Sequence, residues 1–481
     1  MVFFYKIHLN NIVKNITNLI YDKNQKTNNN MLRLTTYFKN INKIKLILIL
    51  FWVGCIASIN TNSIANEVIH YINSFNRVQL TTLDYIDYIN FLRFFFPILI
   101  LFILTIWFIC IKKKIFLLLL LLLFYNLYQL IIPILKDNNL DIGDYQLVGC
   151  SISALLILYI TACYNYQDLY KIFLHILLIF IALISIYFLF KIFNEFIKVK
   201  DLKYFYFSET ITPESRNFNQ ANPRSTGIAR MLIIIFYFLF FFKEKFDNKK
   251  IYFIYFLLFF TFMSIYALQA RGALIGIPIL IGYYIFFIKE NFLKKFVILI
   301  CIFILPIITF ESILKFKTKY EAEKYKNRLV NNYTTSGRTE IWRNSINIIQ
   351  EKKIIFGVGP RGDRKLLTEY LEANKAVKNF IVWENNSSNA LIYSYLSGGI
   401  VCFFIIILIY LETLNKLYKS IFIRKIFITQ DYLIHFSVIT LFYLVIRSIY
   451  ENSFTIFGID FYFFIISHIY LFKNNLKKLW R

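Results

Sequence analysis

The sequence predicts an all-α integral membrane protein of about twelve transmembrane helices. Three observations predict it: apolar runs near the roughly 20 residues that a span needs, basic residues in short clusters between those runs, and one long charged connection late in the chain. Of 481 residues, 58% are hydrophobic and 20% aromatic, with only 14 Gly and 7 Pro, so lipid rather than one soluble core is the expected solvent. The formal net charge of +26 does not point to nucleic acid, because the Lys and Arg residues form short clusters between apolar runs rather than one basic face. Cys55, Cys110, Cys150, Cys163, Cys301 and Cys402 all fall in or beside apolar runs and read as small buried hydrophobes, with no disulfide framework expected.

Taken in order, residues 1–43 are rich in Asn and Lys and lack the apolar core of a signal peptide, which suits a loosely ordered cytoplasmic extension. Met31 directly follows the Asn tract and is an alternative start. The spanning runs lie at 44–60, 91–111, 115–135, 145–163, 171–193, 226–242, 251–268, 272–288 and 296–310, then at 389–411, 433–449 and 455–472. The run at 296–310 is short for a span and would stand upright or lie partly in the interface. The organisation is therefore an extension (1–43), nine helices (44–310), a long loop (311–388), and three helices with a tail (389–481).

Lys and Arg are retained on the cytoplasmic side, which fixes the orientation. A cytoplasmic N-terminus puts the clusters at 112–114, 243–250, 289–295 and 416–425 and the basic tail inside, and leaves acidic or nearly uncharged connections such as 136–144 and 450–454 outside. Both termini are then cytoplasmic. Connections of about 61–90, 194–225 and 311–388 face outward, and a loop as long as the last is usually functional or a linker. Its amphipathic stretch 341–350 predicts a helix lying on the membrane surface. Reporter fusions near residue 340 are expected to be active only with outward-acting reporters, and fusions near Lys419 only with cytoplasmic ones; the reverse pattern overturns this topology.

With this orientation Arg93, Arg224, Arg230, Arg271 and Arg447 all sit at outward helix ends. An Arg at the centre of a span costs about 2.5–3.5 kcal/mol on insertion scales and less towards the interface. Snorkelling to lipid phosphates accounts for any one of them. Five at one end suit a bound anion, since guanidinium forks grip phosphate oxygens bidentately at any working pH.

Four segments resemble one family, the O-antigen ligase/polymerase superfamily. PRSTGIAR (223–230) and ALQARGALIGIPILIG (267–282) resemble its Arg-containing helix entries. SGRTEIWRNSINIIQEKKIIFGVGP (336–360) resembles its Gly-Arg, Trp, amphipathic-helix and Gly-x-Gly stretch. SSNALIYSYLSGGIVC (387–402) resembles its loop-to-helix motif, in which an Asn is followed after nine residues by Gly, here Asn389 and Gly399.

The resemblance covers roughly 220–410 and implies a C-type glycosyltransferase-like fold with a large, partly helical periplasmic loop, in a bacterial inner membrane. It implies transfer of a glycan from undecaprenyl pyrophosphate to an acceptor hydroxyl, with a flippase and a chain-length regulator as expected partners. The outward loops hold no clustered set of His and carboxylate ligands, so no metal or other cofactor is expected. Arg224 and Arg271 are the first candidates to hold the diphosphate, with Arg230, Arg216 and Arg338 beside them. Ligases of the family carry a His before the motif Asn, and here Ser388 stands there; serine is a poor general base, which favours a polymerase. Glu384 is a candidate substitute base, and Ser388 and Asn389 complete the candidate catalytic set. The rival class, a flippase for lipid-linked sugar, would place charge near mid-membrane, where these runs have none.

Overall fold

The computed structural model describes residues 117–135, 148–152, 154–156, 225–242, 248–267, 271–288, 290–315, 338–373, 387–423, 432–455 and 458–479, all within Trp52–Arg481. Among them there are helices and no strands. The expected spans 44–60, 91–111 and 171–193, part of 145–163, and the extension 1–43 lie outside the described residues. The other eight runs coincide with helices. In chain order these are α1 (Leu117–Leu135), α2 (Ser225–Phe242), α3 (Asn248–Ala267), α4 (Arg271–Leu274), α5 (Gly276–Phe287), α6 (Phe292–Leu299) and α7 (Leu305–Lys315). After them come α8 (Arg338–Glu351), α9 (Gly362–Ala373), α10 (Ala390–Tyr418), α11 (Tyr432–Arg447) and α12 (Ile459–Leu479).

Three described helices are long and apolar enough to cross a membrane, at Leu117–Leu135, Phe292–Thr309 and Ala390–Phe422, and five shorter apolar helices accompany them. Two differ from expectation. The run at 296–310 is part of a longer helix, because a π-helical turn at Ile300–Ile304 joins α6 to α7 without a break. The run at 272–288 divides at Ile275 into α4 and α5.

Burial follows from where the polar groups find partners. α2 and α11 are buried on nearly every side, the expected state of a helix that is apolar all round. They interlock through Tyr237 on Tyr443 (ring centroids 5.7 Å apart), Phe238 on Phe436 (5.9 Å) and Phe241 on His435 (5.7 Å). Without water, a polar group in a span needs an internal partner. On α1, Asn126 donates to the Leu122 carbonyl (2.7 Å) and the Tyr125 hydroxyl meets Ser394 Oγ of α10 (3.0 Å).

The loop helices α8 and α9 dock on the first turns of α10 around Ile348, Leu366, Leu367 and Leu396. What seats them is a meeting of two glycine motifs. α10 is kinked at Gly398 and Gly399, with Gly399 in the left-handed region (φ 60°). The freed backbone groups there pair with the α8–α9 connection: Ile400 N–H donates to the Ile355 carbonyl (2.9 Å), Val358 N–H to Leu396 (3.1 Å) and Gly359 N–H to Ser397 (2.8 Å). Gly357 (φ 81°) fits because a Cβ there would lie 2.4 Å from the Ser397 oxygen and 2.5 Å from the Gly399 nitrogen. Irregular backbone is thus satisfied by irregular backbone.

Candidate functional site

The end of the bundle where α10 begins and α11 stops is organised by the turn Ser448–Thr455. Its carbonyls and polar side chains receive most of what surrounds it. Ser448 O accepts from Ala390 N–H (2.9 Å), and Ile449 O accepts from the Asn389 amide (2.9 Å). Glu451 pairs with Arg338 of α8 (2.5 Å), and the Asn452 Oδ1 accepts from Asn389 N–H (2.9 Å). Tyr450 lies against Trp342, whose Nε1 donates to the Ser387 carbonyl (2.9 Å).

Beside this turn stand the arginines. Arg447, only 3% exposed, donates to Ser453 Oγ (2.7 Å) and pairs with Asp460 at the start of α12. Asp460 Oδ2 also lies 3.6 Å from Arg230 of α2. Two guanidiniums therefore share one carboxylate, and this trio keeps an excess positive charge. A Cβ on Gly272 would stand 3.4 Å from Arg447 Nε, and Tyr443 donates to the Gly272 carbonyl (3.0 Å), so the start of α4, which carries Arg271, is fixed against the same guanidinium. Arg447 Nε and Asp460 Oδ1 are buried and make no hydrogen bond among the described residues. The cluster has both charge and unused polar groups in a water-poor place, where each counts for more than in bulk water.

A second network holds the loop helices to α10. Asp363, in the first turn of α9 and 1% exposed, accepts from Ser387 N–H (2.9 Å), Ser387 Oγ–H (3.0 Å) and Arg364 N–H (2.9 Å). Burial pushes the Asp363 carboxyl up from its ordinary range, against the pull of Ser387 and the Arg364 charge; burial likewise lowers Arg364, with Asp363 opposing it. A carboxyl raised in the native state contributes most below its unfolded pKa, and that contribution is lost as pH rises through the native value. Asp363→Ala is expected to cost about 1–3 kcal/mol by stranding the Ser387 donors. Asp363→Asn keeps an acceptor and removes the titration, so its melting point in detergent should stay nearer the parent and fall less across the carboxylate pH range.

Arg230, the start of α4 at Arg271, and Arg338 thus converge on one end, Arg338 through Glu451 and Arg230 through Asp460. Arg93, Arg216, Arg224 and Glu384 lie outside the described residues. Asn389 is a helix cap: its Oδ1 accepts from Leu391 and Ile392 N–H (2.9 and 3.0 Å). Ser388, half-buried and left-handed (φ 43°), stands between that cap and Ser387. Sequence reasoning missed Asp363, Ser387, Glu451, Asn452 and Asp460. The short acidic and amide residues at the ends of apolar helices, opposite so many arginines, were the available signal.

Residues 254–407, from within α3 to within α10, match the family model described as O-Antigen ligase, which supports the O-antigen ligase-related superfamily. No curated protein matches the chain significantly.

Proposed function

We propose, for a chain whose residues 254–407 support the O-antigen ligase-related superfamily, a glycosyltransferase of the bacterial inner membrane with the C-type helical fold. It moves a glycan from undecaprenyl pyrophosphate to an acceptor sugar hydroxyl on the periplasmic side, and polymerisation of a surface polysaccharide is favoured over ligation. The observation that carries this reading is the gathering of Arg230, Arg447 and the Arg271-bearing start of α4 beside the docked loop helices. In the reaction the acceptor oxygen bonds the anomeric carbon as that carbon's bond to phosphate breaks; the pyrophosphate leaves with the electron pair and the hydroxyl proton passes to a base. Because pyrophosphate leaves readily, the protein has chiefly to hold it, neutralise its growing charge and orient the acceptor. Arg271 and Arg224 take the diphosphate, with Arg230 and Arg216 supporting them. Arg338, already paired with Glu451, is the weakest of the five for direct contact.

Ligation is the second reading, favoured by the description of the matched family. Against it stand Ser388, a poor base, and the capping duty of the Asn389 amide. Flippase and chain-length-regulator partners fit either. Deleting the gene and resolving surface polysaccharide on a gel separates the two: single repeats on the lipid A core with no ladder indicate a polymerase, and a bare core indicates a ligase. An unchanged ladder overturns both.

A further inference from the structure

α10 changes character at its kink. From Ala390 to Gly399 no residue is exposed, whereas beyond it Ile400, Phe404, Leu408 and Leu411 begin an exposed apolar stripe that continues to Tyr418, the last residue of α10. Spacings of three and four put these residues on one helix face. From Ile400 to Tyr418 the rise is ~27 Å at ~1.5 Å per residue, close to the ~30 Å hydrocarbon core of a bilayer, and Lys419 follows at the expected cytoplasmic edge. The stripe is a lipid face, and its upper edge lies at the glycine kink. At that edge the α8–α9 connection presents Ile355 and Phe356, 55% and 53% exposed, tied in place by the bond from Ile400 N–H to the Ile355 carbonyl. Lys352 and Lys353 precede them, separated by the buried Ile354, and are exposed; Lys352 reaches Glu369 (2.7 Å).

We infer that Ile355 and Phe356 are a membrane anchor: both side chains enter the acyl chains at the edge of the bilayer, with Lys353 at the phospholipid phosphates above. Two facts select lipid as the occupant. The apolar pair is continuous with the lipid face of α10, and the exposed Lys353 leading into it is a cation of the kind that snorkels to headgroups. The anchor holds α8 and α9 at the level of the headgroups, and it does not depend on the glycan chemistry proposed above.

The test uses the full chain in vesicles of phosphatidylethanolamine and phosphatidylglycerol, with native cysteines replaced by alanine and a nitroxide placed singly by Ile355→Cys or Phe356→Cys. Phe404→Cys supplies the lipid reference and reports intact insertion, and Glu369→Cys supplies the water reference. Labels at 355 and 356 are expected to collide with dissolved oxygen more than with an aqueous nickel chelate, as the label at 404 does. Behaviour like that at 369 overturns the anchor. So does shielding from both reagents, which would mean that protein, from this chain or a second copy, covers the pair. In an otherwise unaltered chain, p-benzoylphenylalanine at position 356 should crosslink to phospholipid; crosslinking to protein instead overturns the proposal.

Discussion

Arg271→Ala is expected to lower glycan transfer on the order of a hundredfold to a thousandfold, the usual effect of losing a donor aimed at developing charge, with membrane insertion and protein level near normal. The start of α4 is held by Tyr443 on the Gly272 carbonyl and by contact with Arg447. Arg271→Lys should recover little, because a point charge cannot supply a bidentate fork. Arg224→Ala should behave like Arg271→Ala, and Ser388→Ala should be mild. The measurement is transfer by purified protein from undecaprenyl pyrophosphate-linked glycan, beside a membrane immunoblot. A dead Ser388→Ala together with a fully active Arg271→Ala would put the diphosphate elsewhere.

Gly399→Ala should act on the fold instead. The added Cβ would lie 2.0 Å from the Ile355 oxygen, at φ 60°, where an L side chain is strained in any case. Overpacking costs ~1–3 kcal/mol where side chains can yield, and here the obstacle is backbone, so the loss should exceed that range. Gly357→Ala meets the same fate from the opposite side. Gly282→Ala is the control: nothing lies within 4 Å of its Cβ position, and a helical Gly→Ala gains up to ~1 kcal/mol. Detergent melts and the monodisperse fraction on size exclusion should separate the first two variants from the third.

The helices were legible because apolar runs in lipid leave the backbone little alternative to helix. The amphipathic stretch 341–350 was readable from its period and became α8 (Arg338–Glu351). Helix ends were less legible: the π-turn at Ile300–Ile304 and the extension of α10 toward Phe422 depend on packing that a hydropathy window does not see. For the site, the arginines were visible and their counter-charges were not. Glu451 and Asp460 lie 113 and 230 residues in sequence from Arg338 and Arg230, and no local pattern links them. Likewise Asn389 reads from sequence as a motif residue of chemistry, and in three dimensions its amide is used on the Leu391, Ile392 and Ile449 backbone groups.

The seam between Gly357 and Gly399 also carries a timetable. The ribosome makes the first half of the seam 42 residues before the second, which at ~5–20 residues per second is an interval of ~2–8 s. During it the stretch Ile355–Gly359 exists without the α10 groups that Ile355, Val358 and Gly359 pair with in the folded chain. Protease accessibility of this stretch in nascent chains should therefore persist until α10 is threaded and then vanish in one step, so that maturation of the loop is clocked by the arrival of the next helix.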